Sequence, residues 1–202
     1  MILQSDSSSG RGRVRSFLAI DLPGEVKQQI DGILSSFRKE SAGIKWVEKQ
    51  NLHLTLRFFG ALSPDEVEKV KIFLKSFAAG KNSFTFTFSG IGVFPPSGTP
   101  AVLWLGIDGG AELLKETAGV LRSGLETLGF AGVTQPFHLH LTLGRLKSGQ
   151  GNRHLIEKTK QISFGSLPEI HADKLIFFKS TLRSSGPVYE AMGEYPFTPA
   201  LS

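Results

Sequence analysis

The tetrapeptide His-Leu-Thr-Leu stands twice in this chain, at His53-Leu54-Thr55-Leu56 and at His140-Leu141-Thr142-Leu143, 87 residues apart (140 less 53). The sequence holds five histidines, and with ordinary usage of Leu and Thr any one of them opens this word with a chance below about one in a thousand. The recurrence is therefore a structural statement. Its alternation is that of a strand, in which successive side chains point to opposite faces. Leu52, Leu54 and Leu56 share one face, and His53, Thr55 and Arg57 the other. In the second copy Leu139, Leu141 and Leu143 oppose His138, His140 and Thr142. Each leucine face anchors in a core at about 1.5–3 kcal/mol per fully buried side chain, and that anchorage gives the imidazole and the hydroxyl a rigid floor.

Around the motifs the pattern alternates between element types. It predicts a strand over 14–21, a helix over 25–39 with Val26, Ile30, Ile33, Leu34 and Phe37 at helical spacing, a short strand over 43–47, and the first motif strand over 52–59. Ser63-Pro64-Asp65-Glu66 is a helix start, with an N-cap serine, proline at the first position and acids in the first turn; that helix runs to about 77. Phe84, Phe86 and Phe88 alternate with polar residues in a strand over 83–94, broken by Phe94-Pro95-Pro96-Ser97-Gly98. A strand over 101–107 and a helix over 111–128 precede the second motif strand. Residues 147–153 read as a loop, 154–162 as a short helix, and 174–180 and 188–195 as the last strands. One-sided alternation is the mark of antiparallel sheets covered on one face. The expected class is α+β: two pseudo-symmetric antiparallel sheets, born of a duplicated half-domain, facing a central cleft with helices outside. Residues 1–13 are expected to form a flexible tail and 14–202 a single bilobal domain.

Composition narrows the function classes. A chain of 202 residues that is 40% hydrophobic can bury a substantial core. The absence of cysteine removes disulfides, thiolate nucleophiles and thiolate metal sites together. No apolar run approaches the roughly 18 residues of a membrane span, and the first residues lack a secretory apolar stretch. A cytoplasmic monomer away from membranes is expected. The net charge of +5 favours polyanions only weakly by itself.

Two imidazoles on opposite walls of a cleft can serve as base and acid in one turnover, because the histidine pKa of about 6.5 lies near operating pH. A phosphodiester needs both. Water attacks phosphorus in line with the departing alkoxide, one His takes the proton of the water, and the other protonates the leaving oxygen. Threonine hydroxyls and an Arg or Lys hold the non-bridging oxygens and their growing charge. No cofactor and no metal are called for.

The paired motifs resemble the 2H phosphoesterase superfamily, and the wider pattern resembles its bacterial and archaeal RNA 2′,3′-cyclic phosphodiesterase branch, historically called 2′-5′ RNA ligases. The pieces that carry the resemblance run from about 14 to 195: Phe17-Leu18-Ala19-Ile20-Asp21-Leu22-Pro23, Trp46-Val47 ahead of Asn51 to Gly60, the Phe94-Pro95 turn, Val102-Leu103-Trp104-Leu105-Gly106, the second motif ending in Arg145, and Ser180 through Gly186-Pro187-Val188-Tyr189. The resemblance implies a bilobal fold with a basic cleft, opening of terminal 2′,3′-cyclic phosphates to 2′-phosphates, and reversible 2′-5′ joining. It implies RNA ends as partner, among them tRNA halves or small cyclic nucleotides. Residue by residue it carries over His53 as the proton donor to the leaving 3′ oxygen and His140 as the proton acceptor that activates water, with Thr55, Thr142 and Arg145 as phosphate ligands. Strict alternation puts Arg145 with Leu141 and Leu143, away from His140, unless a bulge at Gly144 turns it back. Arg57 has the right parity in the first motif and is a rival ligand. Many members of that family carry a basic residue before the Val-Leu-Trp strand where this chain has Ala101, so binding charge is sought on Arg15 or Lys45.

Other readings stay open. A non-catalytic RNA-end binding module would use the same histidines as phosphate donors only. His138 and His140 share a face and could be read as a metal pair, although a neighbour that tunes the base is the simpler reading. His154 and His171 read as surface residues in loop or helix settings. Trp46, Trp104 and the Phe-rich strand read as core, with one exposed aromatic near the cleft available to stack a base.

Overall fold

The computed structural model describes residues 12–38, 43–96, 99–130, 138–146, 157, 162–165, 167–184 and 186–200. The expected tail up to residue 11, the 147–153 loop, His154 and nearly all of the 154–162 helix lie outside these. In chain order the elements are β1 (Val14–Asp21), α1 (Gly24–Arg38), β2 (Ile44–Trp46), β3 (His53–Leu62), α2 (Pro64–Ala79), β4 (Phe84–Phe86), β5 (Phe88–Phe94), β6 (Val102–Ile107), α3 (Ala111–Thr127), β7 (Leu141–Leu146), β8 (Ile170–Ala172), β9 (Lys174–Arg183) and β10 (Gly186–Pro196), with a 3₁₀ turn at Lys49–Asn51 before β3.

Local chemistry accounts for the helices. At α2 the Ser63 hydroxyl accepts from the Glu66 amide at 3.2 Å, while the Glu66 carboxylate accepts from the Ser63 amide at 2.6 Å, a reciprocal cap followed by proline. Val67, Val70, Leu74 and Ala78 then form its buried stripe. The expected strand over 83–94 is two strands. Thr87 breaks it, because its backbone and hydroxyl bond to Asp108 and Gly109 while the chain changes partner from β8 to β6.

Two four-stranded sheets result, ordered β10-β9-β1-β3 and β2-β7-β6-β5, and β4 pairs with β8 in a third, two-stranded sheet. Every pair is antiparallel. The two halves of the chain have like element order, with β1, α1, β3, β4 and β5 answered by β6, α3, β7, β8 and β9. They do not coincide with the two sheets. The β1–β3 pair of the first half is completed by β9 of the second, and the β6–β7 pair of the second half by β5 of the first. One continuous core contains Leu18, Ile20, Leu54 and Leu56 of the first sheet, Leu103, Leu105, Leu141 and Leu143 of the second, and the inner stripes of all three helices. The motif leucines therefore anchor both strands in the same apolar body, and β3 and β7 approach each other directly.

Candidate active site

His53 stands opposite Asp21 in the β1–β3 ladder and Thr55 opposite Ala19, on the sheet face away from the core. The imidazole stacks on Phe17 with ring centres 4.7 Å apart and meets the Tyr189 ring edge-on at 5.2 Å. Its Nδ1 donates to the Asn51 carbonyl at 2.7 Å. A carbonyl can only accept, so the proton sits on Nδ1 and Nε2 is left for chemistry. Asn51 in turn donates from Nδ2 to the Pro187 carbonyl at 3.0 Å, tying the motif to β10.

His140 repeats the device. It sits just before β7, and its Nδ1 donates to the His138 carbonyl at 2.7 Å. Phe94 meets the ring edge-on at 5.1 Å and Trp104 lies at 6.5 Å. Both histidines thus take their tautomer from the carbonyl two residues earlier, and both are half-buried in aromatic collars. Thr55 and Thr142 are half-buried on the same faces, and among the described residues neither hydroxyl is engaged by another side chain.

Burial sets the electrostatics. Loss of solvent lowers His53 from 6.5 to about 4, against the pull of the Asn51 carbonyl and the Asp21 carboxylate, with Lys27 adding to the fall. His140 is also lowered, first by burial; the His138 carbonyl opposes this, and the charges of His138 and Arg145 reinforce it. The surroundings differ in sign. Asp21 favours a protonated His53, whereas Arg145 favours a neutral His140.

The arginines reverse strict parity. In β3 the register passes from Ala19 opposite Thr55 to Leu18 opposite Arg57, leaving Leu56 as an extra residue. In β7 it passes from Trp104 opposite Thr142 to Leu103 opposite Gly144, leaving Leu143 extra. The same bulge thus follows both motifs and flips the side chains that come next; in β3 a second extra residue, Phe59, between Phe58 opposite Phe17 and Gly60 opposite Ser16, restores the parity. Gly144 suits it, since a Cβ there would lie 2.7 Å from Ile44 Cγ2. Arg145 is turned onto the face of Thr142 and Trp104 and is exposed. Arg57 is turned the other way, opposite Leu18. It is 8% exposed, donates to the Phe130 carbonyl at 3.3 Å and lies over the Phe59 ring. The expectation that Arg57 faces the phosphate is corrected: the bulge places it on the core face. Phe58 takes the site face instead, opposite Phe17 and 61% exposed.

Charge from Arg145 also acts on Tyr189, whose phenol burial pushes up and Arg145 draws back down. Tyr189 packs on His53 while Arg145 acts on His140, so the charge of Arg145 is felt by a ring of each collar. Lys45 stands opposite Arg145 in the β2–β7 ladder, exposed, and adds a second cation to that face. Arg15 is exposed opposite Ala61, near the far end of β1. Trp104, read as core, faces the site opposite Thr142 and stacks on Phe94 at 5.0 Å; Trp46 does pack against the core. His171 is exposed but lies in β8 rather than a loop or helix. Among the described residues no three His, Asp or Glu groups gather in a metal-binding cluster. Sequence reasoning missed Tyr189 and Phe58 as site residues, because only register against β9 and β1 reveals their faces. A cavity of about 210 Å³ opens beside His53, lined also by Asp21, Gln50, Asn51, Phe178 and Tyr189.

Two sheets of one design, each presenting a His-x-Thr pair beside aromatic rings, the second with a basic edge at Lys45 and Arg145, have the architecture of a two-histidine phosphoesterase. The chain belongs to the LigT-like phosphoesterase family, whose model matches it twice, over residues 20–104 and 105–189. Each match begins in an equivalent strand, β1 or β6, and spans one motif. The RNA 2′,3′-cyclic phosphodiesterase of Thermotoga maritima is 34% identical over 91% of this chain and 96% of its own length. The enzyme of that name from Methanocaldococcus jannaschii is 34% identical over 90% of this chain and all of its own. Among solved structures, TT0787 of Thermus thermophilus superposes with a TM-score of 0.74 at 26% identity, covering 92% of this chain and 98% of that one. Escherichia coli LigT in its apo form gives 0.73 at 25% identity, covering 93% and 99%. No described helix is long and apolar enough to cross a membrane.

Proposed function

We propose that this protein hydrolyses RNA 2′,3′-cyclic phosphodiester ends to 2′-phosphomonoesters, with His53 as the acid and His140 as the base. The observation that carries the reading is the matched pair of imidazoles, each with Nδ1 committed to a carbonyl and Nε2 left over, in collars bridged by Arg145 and Tyr189. The names of the relatives support the substrate class.

The sign difference around the rings supports the division of labour. Burial lowers both rings, His53 to about 4, so free His140 is ready to take a proton, helped by the charge of Arg145, whereas His53 gains the proton it must give up when the phosphate anion binds, helped by Asp21. His140 Nε2 takes the proton of the attacking water as its oxygen bonds to phosphorus. The bond from phosphorus to the 3′ oxygen breaks on the opposite side, and His53 Nε2 supplies the proton that oxygen needs. Thr55, Thr142 and Arg145 hold the non-bridging oxygens, and Lys45 extends the positive edge for the preceding phosphates. The two imidazoles and the guanidinium supply the proton transfers and the positive field, so the reaction needs no cofactor. With a 5′-hydroxyl in place of water, the same displacement forms the bond from phosphorus to the 5′ oxygen, expels the 3′ oxygen and gives 2′-5′ joining, and its reverse restores the cyclic end.

The test is incubation of the protein, in excess chelator, with a short RNA ending in a 2′,3′-cyclic phosphate, followed by identification of the hydroxyl that keeps the phosphate. A 2′-phosphate is expected. Ends that bind and stay intact would make the protein an RNA-end binding module, and activity lost in chelator but restored by zinc would move the chemistry to a metal.

A further inference from the structure

We propose that the cavity beside His53 receives the base of the terminal nucleotide, and that Asp21 makes it select bases carrying an exocyclic amino group. This rests on the proposed reaction and extends it to substrate choice. Because His53 serves the 3′ oxygen, the terminal ribose and its base must lie on the His53 side of phosphorus, with water entering from the side of His140. The cavity of about 210 Å³ has His53 in its wall.

Its construction fits a flat heterocycle. Phe178 and Tyr189 provide aromatic walls. Lys27 fixes the polar end, with Nζ 2.6 Å from Asp21 Oδ1 and 3.3 Å from the Gln50 carbonyl, and its side chain is only 12% exposed. The Asn51 side chain holds the β10 wall through the Pro187 carbonyl. Stacking surfaces beside a few fixed polar groups are how proteins read unpaired RNA bases. The Lys27 ion pair is made through Asp21 Oδ1, and the carboxylate lines the cavity. An ionised carboxylate only accepts, so it favours the amino group of a base and disfavours a carbonyl oxygen at the same place. Cytosine and uracil have the same shape and differ there in only this respect.

The experiment measures kcat/KM of the whole protein on two trinucleotides alike except for a final cytidine or uridine 2′,3′-cyclic phosphate. The cytidine end is expected to be favoured about tenfold, mainly through KM, as suits one hydrogen bond to a charged group. In Asp21→Asn the ratio is expected to fall toward one, since the amide can donate to uracil. Asp21 also faces His53, so a common change in kcat is set aside and only the ratio is read. Equal rates in the unaltered protein, a measurement that needs no variant, or an undiminished preference in Asp21→Asn would overturn the inference. If neither end is opened the reaction itself falls and takes this inference with it, a result distinct from opening both ends equally.

Discussion

Lys45 and Arg145 are cross-strand partners, two cations side by side on the face that carries His140. Like charges directly opposite cost stability, and a bound polyanion would relieve that cost. Lys45→Ala is therefore expected to weaken RNA binding, to reduce the slope of log affinity against log salt by about one, and to leave thermal stability level or slightly raised. A salt titration of RNA affinity on the two proteins checks this, and an unchanged slope would contradict it.

His53→Ala and His140→Ala are each expected to lower the rate of ring opening by about 10²–10⁴ with the fold intact. The two losses should not multiply in the double variant, because a displacement that lacks either proton transfer already lacks the concerted route. Single-turnover rates with circular dichroism on the same samples decide the matter. Full activity in either single variant would end the assignment.

The lowered histidines make a directional pH prediction. Both rings are below 6.5 in the free protein, so the acid limb of kcat/KM should lie below that of an exposed histidine. A bound phosphate anion raises both groups, so the limbs of the kcat profile should sit at higher pH than those of kcat/KM. Stability has the matching sign. His53 falls from 6.5 to about 4 on folding, so its contribution is complete above pH 6.5 and is lost as pH drops toward 4. Urea midpoints for His53→Gln should decline less steeply over that window than those of the unaltered protein.

Arg57 and Arg145 should separate stability from chemistry. Arg57→Met removes a buried guanidinium that bonds to Phe130, and is expected to cost about 1–3 kcal/mol in unfolding free energy while kcat/KM stays near that of the parent. Arg145→Met should do the reverse, lowering kcat by about 10²-fold with stability unchanged. Denaturant curves and kinetics on the two variants test the pair together. An Arg57→Met protein that folds well but has lost activity would return Arg57 to the substrate.

The motif histidines and threonines are legible in the sequence because parity needs to hold for only three residues. The helices are legible from caps and stripes, as at Ser63. The arginines are not, because one extra residue at Leu56 or Leu143 reverses the residues that come next, and a bulge is a property of the opposing register at Leu18–Ala19 or Leu103–Trp104 rather than of the motif. The split at Thr87 is hidden for a similar reason: the residues on either side look like one strand, and only their distant partners differ. Trp104 misleads because a large aromatic looks the same in sequence whether its strand turns it inward or toward a ligand. Once the register is known, the fifth residue after each histidine becomes informative, being Phe58 in one copy and Arg145 in the other. The duplicated frame is symmetric, and this difference is part of what makes the surroundings of its two motif histidines unequal.

The crossing of β5 and β9 between the halves has a consequence for ancestry. A progenitor of half this length would have exposed an unpaired strand edge, and the closed way to cover it is a twofold pair of copies, each handing its final strand to the other. Fusion of such a pair would turn an assembly that depends on concentration into a single chain, and leave two once-identical histidines free to diverge.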